Sequence, residues 1–176
     1  MRELLKRLPM GLLVLFCAAS LYAATPPAVG GTAPDFALPA SSGSNVRLSE
    51  YRGQVVVLSF WSSRCSVCAA QLADLRQLQR TYGSAGLVTL AVSIDDDMAH
   101  ARDYAAAHGG DLTMLLDQAR AVGRSYDVGH VPTILLIDRS GRLRYRRDDI
   151  RRIDNPYISQ LRALLDDAPV KDRTEP

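Results

Sequence analysis

The chain has 176 residues, of which 47% are hydrophobic and 23% are charged, a composition typical of one globular domain with a substantial core. Its 12 glycines, 9 prolines and 3 cysteines exclude a collagen-like chain and a disulfide-framework protein. Three basic residues and one acidic residue among the first seven account for the net charge of +2, so the remainder is neutral and lacks the basic field expected of a nucleic-acid-binding protein.

The first 24 residues predict a targeting segment. A basic start is followed by an uncharged apolar run at 8–24 that ends in small residues, which is the layout of a secretory signal. The run is also at the short limit for spanning a bilayer, so residues 1–24 are interpreted as a signal peptide or an N-terminal membrane anchor. Basic residues before the run favour export of the remainder. We therefore expect a bacterial protein in the periplasm or at the outer face of the inner membrane, where disulfides can form.

Strand and helix signals alternate after this segment. Residues 25–34 are rich in proline and glycine and predict a linker. A short strand is predicted at 46–48. The apolar runs at 55–60 and 87–94 predict buried central strands. Between them, apolar residues recur at helical spacing and predict an amphipathic helix over 66–82.

The second half of the chain continues the alternation over shorter elements. Three consecutive aspartates at 95–97 offer N-caps for a helix at 98–108. The remaining predicted elements are a strand at 112–116, a helix at 118–126, a hairpin of strands at 133–137 and 143–147, and a helix at 156–167. This order indicates an α/β fold with helices on both faces of a central sheet. We expect the domain to cover residues 35–168 and to be followed by a disordered tail at 169–176.

The residues able to carry chemistry are concentrated at Cys65 and Cys68. They follow the buried strand at 55–60, with Cys65 at or just before the predicted start of the helix. At a helix N-terminus, unpaired N–H groups and the positive end of the dipole stabilise an anion and can lower a thiol pKa from about 8.5 to about 3.5–7.5. Cys68 lies one helical turn further and can close a disulfide with Cys65. The spacing predicts an exposed nucleophile at Cys65 and a buried resolving thiol at Cys68.

Two other interpretations of the cysteine pair are a structural disulfide and half of a zinc site. Zinc requires two further ligands, and none of the three histidines is spaced as a pair with this motif; they are His100, His108 and His130. We therefore expect no metal ion and no separate cofactor, because the Cys65–Cys68 disulfide is itself the redox group.

A second signal lies at Pro132, directly before the apolar strand at 133–137. Proline at the mouth of a buried strand is tolerated at the first residue or in a special turn, including a cis turn. Together with the cysteine motif, it makes the chain resemble the thioredoxin superfamily, and within it the exported branch typified by TlpA, ResA and CcmG-like proteins. The resemblance rests on APDFAL at 33–38, LSEYRG at 48–53, FWSSRCSVC at 60–68, VPT at 131–133 and IDRSG at 137–141.

This resemblance covers about residues 30–168 and implies a thioredoxin-like fold, with a central mixed sheet flanked by helices and an N-terminal extension. It implies that Pro132 is cis and packs beside the cysteines, and that the backbone of Val131 pairs with an extended substrate segment. The implied activity is thiol–disulfide exchange, mostly reductive, on exported cysteine-containing proteins such as apocytochrome c or copper-site assembly partners. A membrane electron relay of the DsbD or CcdA type is the implied electron source.

The chain departs from the pattern of this family in several places, one of which is Ser66-Val67, where the usual Pro between the two cysteines is missing. Arg64 stands where a large residue such as Trp usually precedes the nucleophile; its charge could favour a Cys65 thiolate or be solvated at the rim. Gln71 replaces a Glu common in this branch, and Ser59 stands where cytoplasmic thioredoxins carry a buried Asp. Neither expected carboxylate is therefore available to handle the proton of Cys68.

Other residues near the motif carry weaker expectations. Trp61 is interpreted as a packing residue beneath the active loop. His130 lies beside Val131 in sequence; it could contact substrate or tune Cys65, or be a bystander in the loop. The basic run at 139–152 is interpreted as a solvated hairpin face with local ion pairs, with a docking patch for an acidic partner as the alternative.

Two competing functions stay open. A peroxiredoxin-like peroxidase shares the segments at 33–38 and 48–53 and has a hydroxyl residue, here Ser62, three positions before its cysteine, but the proline-rich loop of that family is missing. A non-catalytic copper-binding thioredoxin-like module could hold copper(I) through Cys65 and Cys68, because soft thiolates suit that ion.

Overall fold

A five-stranded sheet with helices packed against it forms the centre of the protein. The computed structural model describes residues 26–148 and 152–167, so the predicted targeting segment and the predicted tail lie outside the described residues. The strands are β1 (Ala37–Pro39), β2 (Asn45–Arg47), β3 (Val55–Trp61), β4 (Leu87–Ser93), β5 (Thr113–Leu116), β6 (Thr133–Ile137) and β7 (Leu143–Asp148). The helices are α1 (Cys68–Tyr82), α2 (Met98–His108), α3 (Ala121–Ser125) and α4 (Asn155–Asp166).

The sheet is mixed, and its strand order is β5-β4-β3-β6-β7. β3 runs parallel to β4, and β4 runs parallel to β5. β6 is antiparallel to β3 and to β7. β1 and β2 form a separate antiparallel hairpin, which touches β5 through a bridge between Ala40 and Leu115. The architecture confirms the predicted thioredoxin-like fold with a central mixed sheet.

The central strand β3 is buried at every residue, which shows that both faces of the sheet are covered. Successive side chains of a strand point to opposite faces, so alternate residues of β3 enter two separate hydrophobic clusters. One cluster joins the sheet to α1, α2 and α4. The other joins it to the β1–β2 hairpin and the residues around α3. Helices on both faces were predicted, and the structure confirms them.

The strand register brings three loops to one edge of the sheet. Trp61 at the end of β3 lies beside Ser93 at the end of β4, and Phe60 lies opposite Thr133 at the beginning of β6. The loops that follow β3 and β4 and the loop that precedes β6 therefore meet at this edge. Both the cysteine motif and Pro132 lie on these loops.

Some predicted elements match the structure and others shift. The helix at 98–108 and the strand at 133–137 are confirmed to the residue. The predicted start of α1 at 66 is wrong because the residues just before Cys68 form turns. α3 is shorter than the predicted 118–126. The strand β1 was missed because three residues ending in proline carry no usable periodicity.

Part of the predicted linker pairs with the β6–β7 hairpin. The Gly31 carbonyl accepts a hydrogen bond from the Leu143 amide at 2.9 Å, and the Ala33 amide donates to the Gly141 carbonyl at 2.9 Å. The packed region therefore begins before the predicted domain start at Asp35. Within the described ranges, no helix is long and apolar enough to cross a membrane.

Arg139 ties together three segments at the opposite edge of the sheet. Its guanidinium donates to the carbonyl oxygen of Gly53 at 2.7 Å, just before β3, and to that of Leu165 at 3.1 Å, near the end of α4. It also lies 3.2 Å from the carbonyl oxygen of Asp167 and 3.4 Å from that of Ala85. Arg139 is half-buried. Its guanidinium thus supplies charged donors to backbone carbonyls at segment ends.

The other described arginines of the basic run are also paired. Arg142 donates to the carbonyl of Gly30 at 2.9 Å. The ion pairs of this run are Arg144–Asp138, Arg146–Asp148, Arg147–Asp154 and Arg152–Asp74. This pairing supports the interpretation of local ion pairs over a docking patch.

We predict that Arg139→Ala lowers the free energy of unfolding by about 2 kcal/mol, because several carbonyls lose a charged donor at once. Arg144→Ala is the matched control from the same hairpin, since it removes an ion pair at the rim and should cost less than about 1 kcal/mol. Urea unfolding followed by circular dichroism measures both. Equal losses in the two variants would show that Arg139 does not tie these segments together.

Candidate active site

Cys65 and Cys68 lie at the junction between β3 and α1. Cys65 is in the turn after β3, Cys68 is the first residue of α1, and a disulfide joins them across a Cα–Cα distance of 5.4 Å. Cys65 is partly exposed, whereas Cys68 is fully buried. Cys65 is therefore the more accessible cysteine of the pair to an incoming thiolate.

The backbone of the turn links the two cysteines to the end of β3. The Cys65 amide donates to the Ser62 carbonyl at 3.0 Å, and the Cys68 amide donates to the Cys65 carbonyl at 3.2 Å. Cys65 thus precedes the helix by three residues instead of standing at its first turn. Its bonded partner Cys68 occupies the helix start, so the disulfide brings the sulfur of Cys65 to the N-terminal end of α1, where the helix dipole favours negative charge.

A neutral polar pair lies in the core one turn beyond Cys68. Gln71 of α1 and Ser59 of β3 are both completely buried, and the Ser59 hydroxyl donates to Oε1 of Gln71 at 3.1 Å. Burying these polar atoms is tolerated because they bond to each other. The two positions expected to carry carboxylates in related proteins are therefore joined here by a hydrogen bond between groups that cannot ionise.

Trp61 packs below the turn that contains Cys65, in the same hydrophobic cluster as Cys68. It is the last residue of β3 and is fully buried, and its indole stacks on the ring of Tyr104 in α2 with centroids 5.1 Å apart. Burial raises the pKa of Tyr104, and the negative charge of Asp95 adds to that rise. The ring pair belongs to the same hydrophobic cluster as Cys68.

Asp95 is a functional candidate that the sequence analysis missed. Of the three aspartates expected to cap α2, Asp97 accepts hydrogen bonds from the amides at the helix start. Asp95 instead is buried and accepts from Ser62, Ser63 and Ser93. Burial opposes its ionisation, but these hydrogen bonds outweigh burial and lower the pKa of Asp95 below its usual value. The sequence did carry a signal for this role. Asp95 follows the apolar run that forms β4, and the end of β4 lies at the same edge of the sheet as the cysteine motif.

Arg64 extends into solvent beside the nucleophile. Its guanidinium pairs with the Asp96 carboxylate at 3.8 Å, and the two side chains are 80% and 68% exposed. The pair is therefore weak and screened by salt. Arg64 directly precedes Cys65 in sequence, and the nearby carboxylate of Asp96 partly offsets its positive charge.

The loop before β6 presents Val131 and Pro132 at the same edge. Their peptide bond is cis, as the resemblance implied. Pro132 is buried, and Val131 is half-buried and packs against the same hydrophobic cluster as Cys65 and Cys68. His130 is exposed in this loop. The structure thus brings four of the predicted residues, both cysteines, Val131 and Pro132, to one side of the domain.

A polar network that the sequence did not reveal holds this loop. Arg146 donates to the Asp127 carbonyl at 2.8 Å and to the Asp148 carboxylate at 3.0 Å. The Thr133 hydroxyl lies 2.8 Å from Oδ1 of Asp148 and 2.7 Å from the His130 carbonyl, so its one proton serves either acceptor. The network anchors both ends of the segment that contains the cis peptide.

Two further observations bear on the competing chemistries. Among the described residues, no group of three or more His, Cys, Asp or Glu side chains is arranged to hold a metal ion. Ser62, which would support a peroxidase, donates its hydroxyl proton to Asp95 at 2.6 Å. That proton is therefore committed to a buried carboxylate.

Comparison with known proteins gives consistent matches. The sequence pattern of the AhpC/TSA family matches residues 29–146. The thiol-disulfide oxidoreductase ResA of Geobacillus kaustophilus is 35% identical over 117 residues, which are 66% of this chain and 67% of ResA. ResA of Bacillus subtilis is 29% identical over 114 residues, 65% of this chain and 64% of that protein. The crystal structure of a DsbE-type thiol:disulfide interchange protein from Chlorobium tepidum superposes with a TM-score of 0.75 at 34% identity, covering 79% of this chain and 99% of that one.

We predict that Arg64→Ala raises the pKa of the Cys65 thiol and that Asp96→Asn lowers it, since the second change leaves the arginine charge uncompensated. Thiolate absorbance against pH, measured in a Cys17→Ala, Cys68→Ala background so that Cys65 titrates alone, gives both directions. Both shifts should shrink in about 1 M salt, where the screening length is about 3 Å. An unchanged titration in Arg64→Ala would make the residue a rim charge without an electrostatic role.

Proposed function

Since the chain belongs to the AhpC/TSA family within the thioredoxin superfamily and is a ResA-like thiol–disulfide oxidoreductase, we propose that it acts through Cys65 and Cys68 on exported cysteine-containing proteins. The observation that carries this proposal is the disulfide between a half-exposed and a fully buried cysteine, at the edge that also holds the cis Val131–Pro132 peptide. No other cofactor is needed for this reaction, because the cysteine pair itself accepts and donates the two electrons.

The difference in exposure between Cys65 and Cys68 supports the following order for the reductive reaction. The Cys65 thiolate attacks one sulfur of a substrate disulfide, which forms a mixed disulfide and releases the other substrate sulfur as a thiolate that takes up a proton. Deprotonated Cys68 then attacks the Cys65 sulfur from within the core. This closes the Cys65–Cys68 disulfide and releases the second substrate thiol. The substrate gains two electrons and two protons, and the enzyme loses the same number.

The enzyme must then be reduced again by a donor dithiol. We propose a membrane relay of the DsbD or CcdA type, whose two thiols become a disulfide as the Cys65–Cys68 bond is reduced. The basic and apolar N-terminal segment at 1–24 supports export to the periplasm or to the outer face of the inner membrane, with that segment either removed or kept as an anchor. In that location the relay and the substrates are on the same side of the membrane.

Substrate binding is assigned to the loop before β6. Val131 is half-buried and packs against the hydrophobic cluster that contains Cys68, and we propose that its backbone pairs with an extended peptide as an added strand. His130 is exposed one residue earlier, and we propose that it contacts the same peptide. We propose that the substrates are of the cytochrome c maturation or copper-site assembly kind, as the family resemblance implies.

We predict that Cys65→Ala abolishes insulin reduction and that Cys68→Ala traps mixed disulfides through Cys65, because the resolving thiol is gone. Every variant is made in a Cys17→Ala background, so that the chain's third cysteine cannot form the trapped bond. Non-reducing electrophoresis and mass spectrometry identify the adducts. Trapping by Cys65→Ala through Cys68 would reverse the two roles, and hydrogen peroxide consumption that depends on Cys65 would instead support a peroxidase.

We predict that Gln71→Glu makes the reduction potential of the couple more negative, and more so as pH rises. A carboxylate in place of the amide puts negative charge near the buried thiol of Cys68, which destabilises the thiolate and with it the reduced form. Gln71→Met is the control, since it removes the hydrogen bond to Ser59 without adding charge. Equilibration with a glutathione buffer at two pH values measures the potential. An equal, pH-independent shift in both variants would show that charge at this position has no effect.

A further inference from the structure

Two aspartates in the described part of the chain are almost fully buried, Asp95 at 2% exposure and Asp117 at 1%. Asp117 accepts hydrogen bonds from the backbone amides of Ala121 and Gly123 and thereby holds the start of α3. Asp95 lies beneath the cysteine turn and has no part in the reaction steps described above. A buried carboxylate beside a redox pair needs a physical reason to be there, because its desolvation is costly.

Both oxygens of Asp95 are occupied by donors. Oδ1 accepts from the Ser62 hydroxyl at 2.6 Å and from the Ser63 hydroxyl at 2.9 Å. Oδ2 accepts from the Ser63 amide at 2.9 Å and from the Ser93 hydroxyl at 2.8 Å. Only an ionised carboxylate accepts at all of these positions without a competing proton. Its lone pairs are filled and its pKa is lowered, so Asp95 is a poor proton acceptor for a thiol.

The hydrogen bonds continue from Asp95 to both cysteines. The Asp95 carboxylate holds the side chain of Ser62. The carbonyl of Ser62 accepts a hydrogen bond from the Cys65 amide at 3.0 Å, and the carbonyl of Cys65 accepts one from the Cys68 amide at 3.2 Å. The Ser62 hydroxyl also accepts the Arg64 amide at 3.3 Å. The end of β4 therefore fixes the segment that enters the cysteine turn from β3.

We propose that Asp95 is the positioning residue of the redox turn, and that its carboxylate sets how closely Cys65 and Cys68 are held for disulfide formation. This inference rests on the proposed function of the cysteine pair. In the exchange with glutathione, the protein disulfide and two glutathione thiols give the protein dithiol and one glutathione disulfide. The equilibrium constant depends on the effective concentration of one cysteine toward the other, which a rigid turn raises. Loosening the turn favours the dithiol.

A purely electrostatic role for Asp95 would shift this equilibrium in the same direction. Removing a negative charge near Cys65 stabilises its thiolate and also favours the reduced form. The two roles differ in the serine variants, because Ser62→Ala keeps the carboxylate charge and removes one of the hydrogen bonds that hold the turn. A positioning role for Asp95 therefore predicts that Ser62→Ala shifts the glutathione equilibrium constant, whereas a purely electrostatic role predicts no shift.

The test measures the glutathione equilibrium constant of the wild type, Asp95→Asn, Ser62→Ala, the double variant and Asp117→Asn, all with Cys17→Ala. Asp95→Asn should shift the constant toward the dithiol by about tenfold, equivalent to about 30 mV, and Ser62→Ala should shift it in the same direction by less. The double variant should not exceed Asp95→Asn, since both changes break one network. Asp117→Asn removes a comparably buried carboxylate elsewhere and should lower stability without moving the constant.

Two outcomes overturn the inference. A shift in Asp95→Asn without one in Ser62→Ala assigns the effect to charge, and an equal shift in Asp117→Asn assigns it to general destabilisation. If Asp95→Asn does not fold, Ser62→Ala decides alone: a shift toward the dithiol supports positioning and an unchanged constant contradicts it. A wild type that does not interconvert reversibly with glutathione would refute the proposed function itself, a result distinct from unchanged variants of a working couple.

Discussion

The pairing of β3 with a strand on each side is the constraint on which the rest of this structure depends. β3 is buried along its whole length, so its register with β4 and β6 is determined by packing on both faces. That register places the ends of β3 and β4 and the start of β6 at one edge. The disulfide, the cis Val131–Pro132 peptide and the buried Asp95 each lie on a loop that leaves or enters one of these strands. A slip of one residue in β3 would turn Trp61 away from its packing partner and shift the cysteine turn relative to the other two loops.

The electrostatics of the site depend on three features: a neutral pair behind Cys68, a buried carboxylate beneath the turn and an exposed arginine at the rim. Behind Cys68, Ser59 and Gln71 form a neutral hydrogen-bonded pair in the core. Negative charge is held instead beneath the turn at Asp95, where four donors fill its oxygens. Positive charge is held at the rim by Arg64, which is exposed and paired with Asp96. Proton transfer to and from the buried thiol therefore has to proceed without a carboxylate at the two positions where related proteins were expected to supply one.

Local sequence signals predicted the elements that have local causes. The helix α2 has an Asp97 cap before it and a Gly-Gly pair after it, and the strand β6 is an apolar run between a proline and an Asp-Arg-Ser-Gly turn. The cysteine pair and Pro132 were found because their spacing is typical of one family. Long-range contacts were not predictable in this way. An aspartate beside a helix start has the same sequence signature whether it caps the helix, as Asp97 does, or reaches back to the turn after β3, as Asp95 does.

The central claim is that solvent reaches Cys65 while Cys68 is enclosed by the core. Competitive alkylation tests it most directly. The reduced Cys17→Ala protein is treated with less than one equivalent of iodoacetamide under native conditions, and the labelled cysteine is identified by peptide mass spectrometry. The structure predicts that the label is found on Cys65 and that Cys68 reacts only after unfolding. A label found first on Cys68, or equally on both, would contradict the assignment of Cys65 as the attacking thiol.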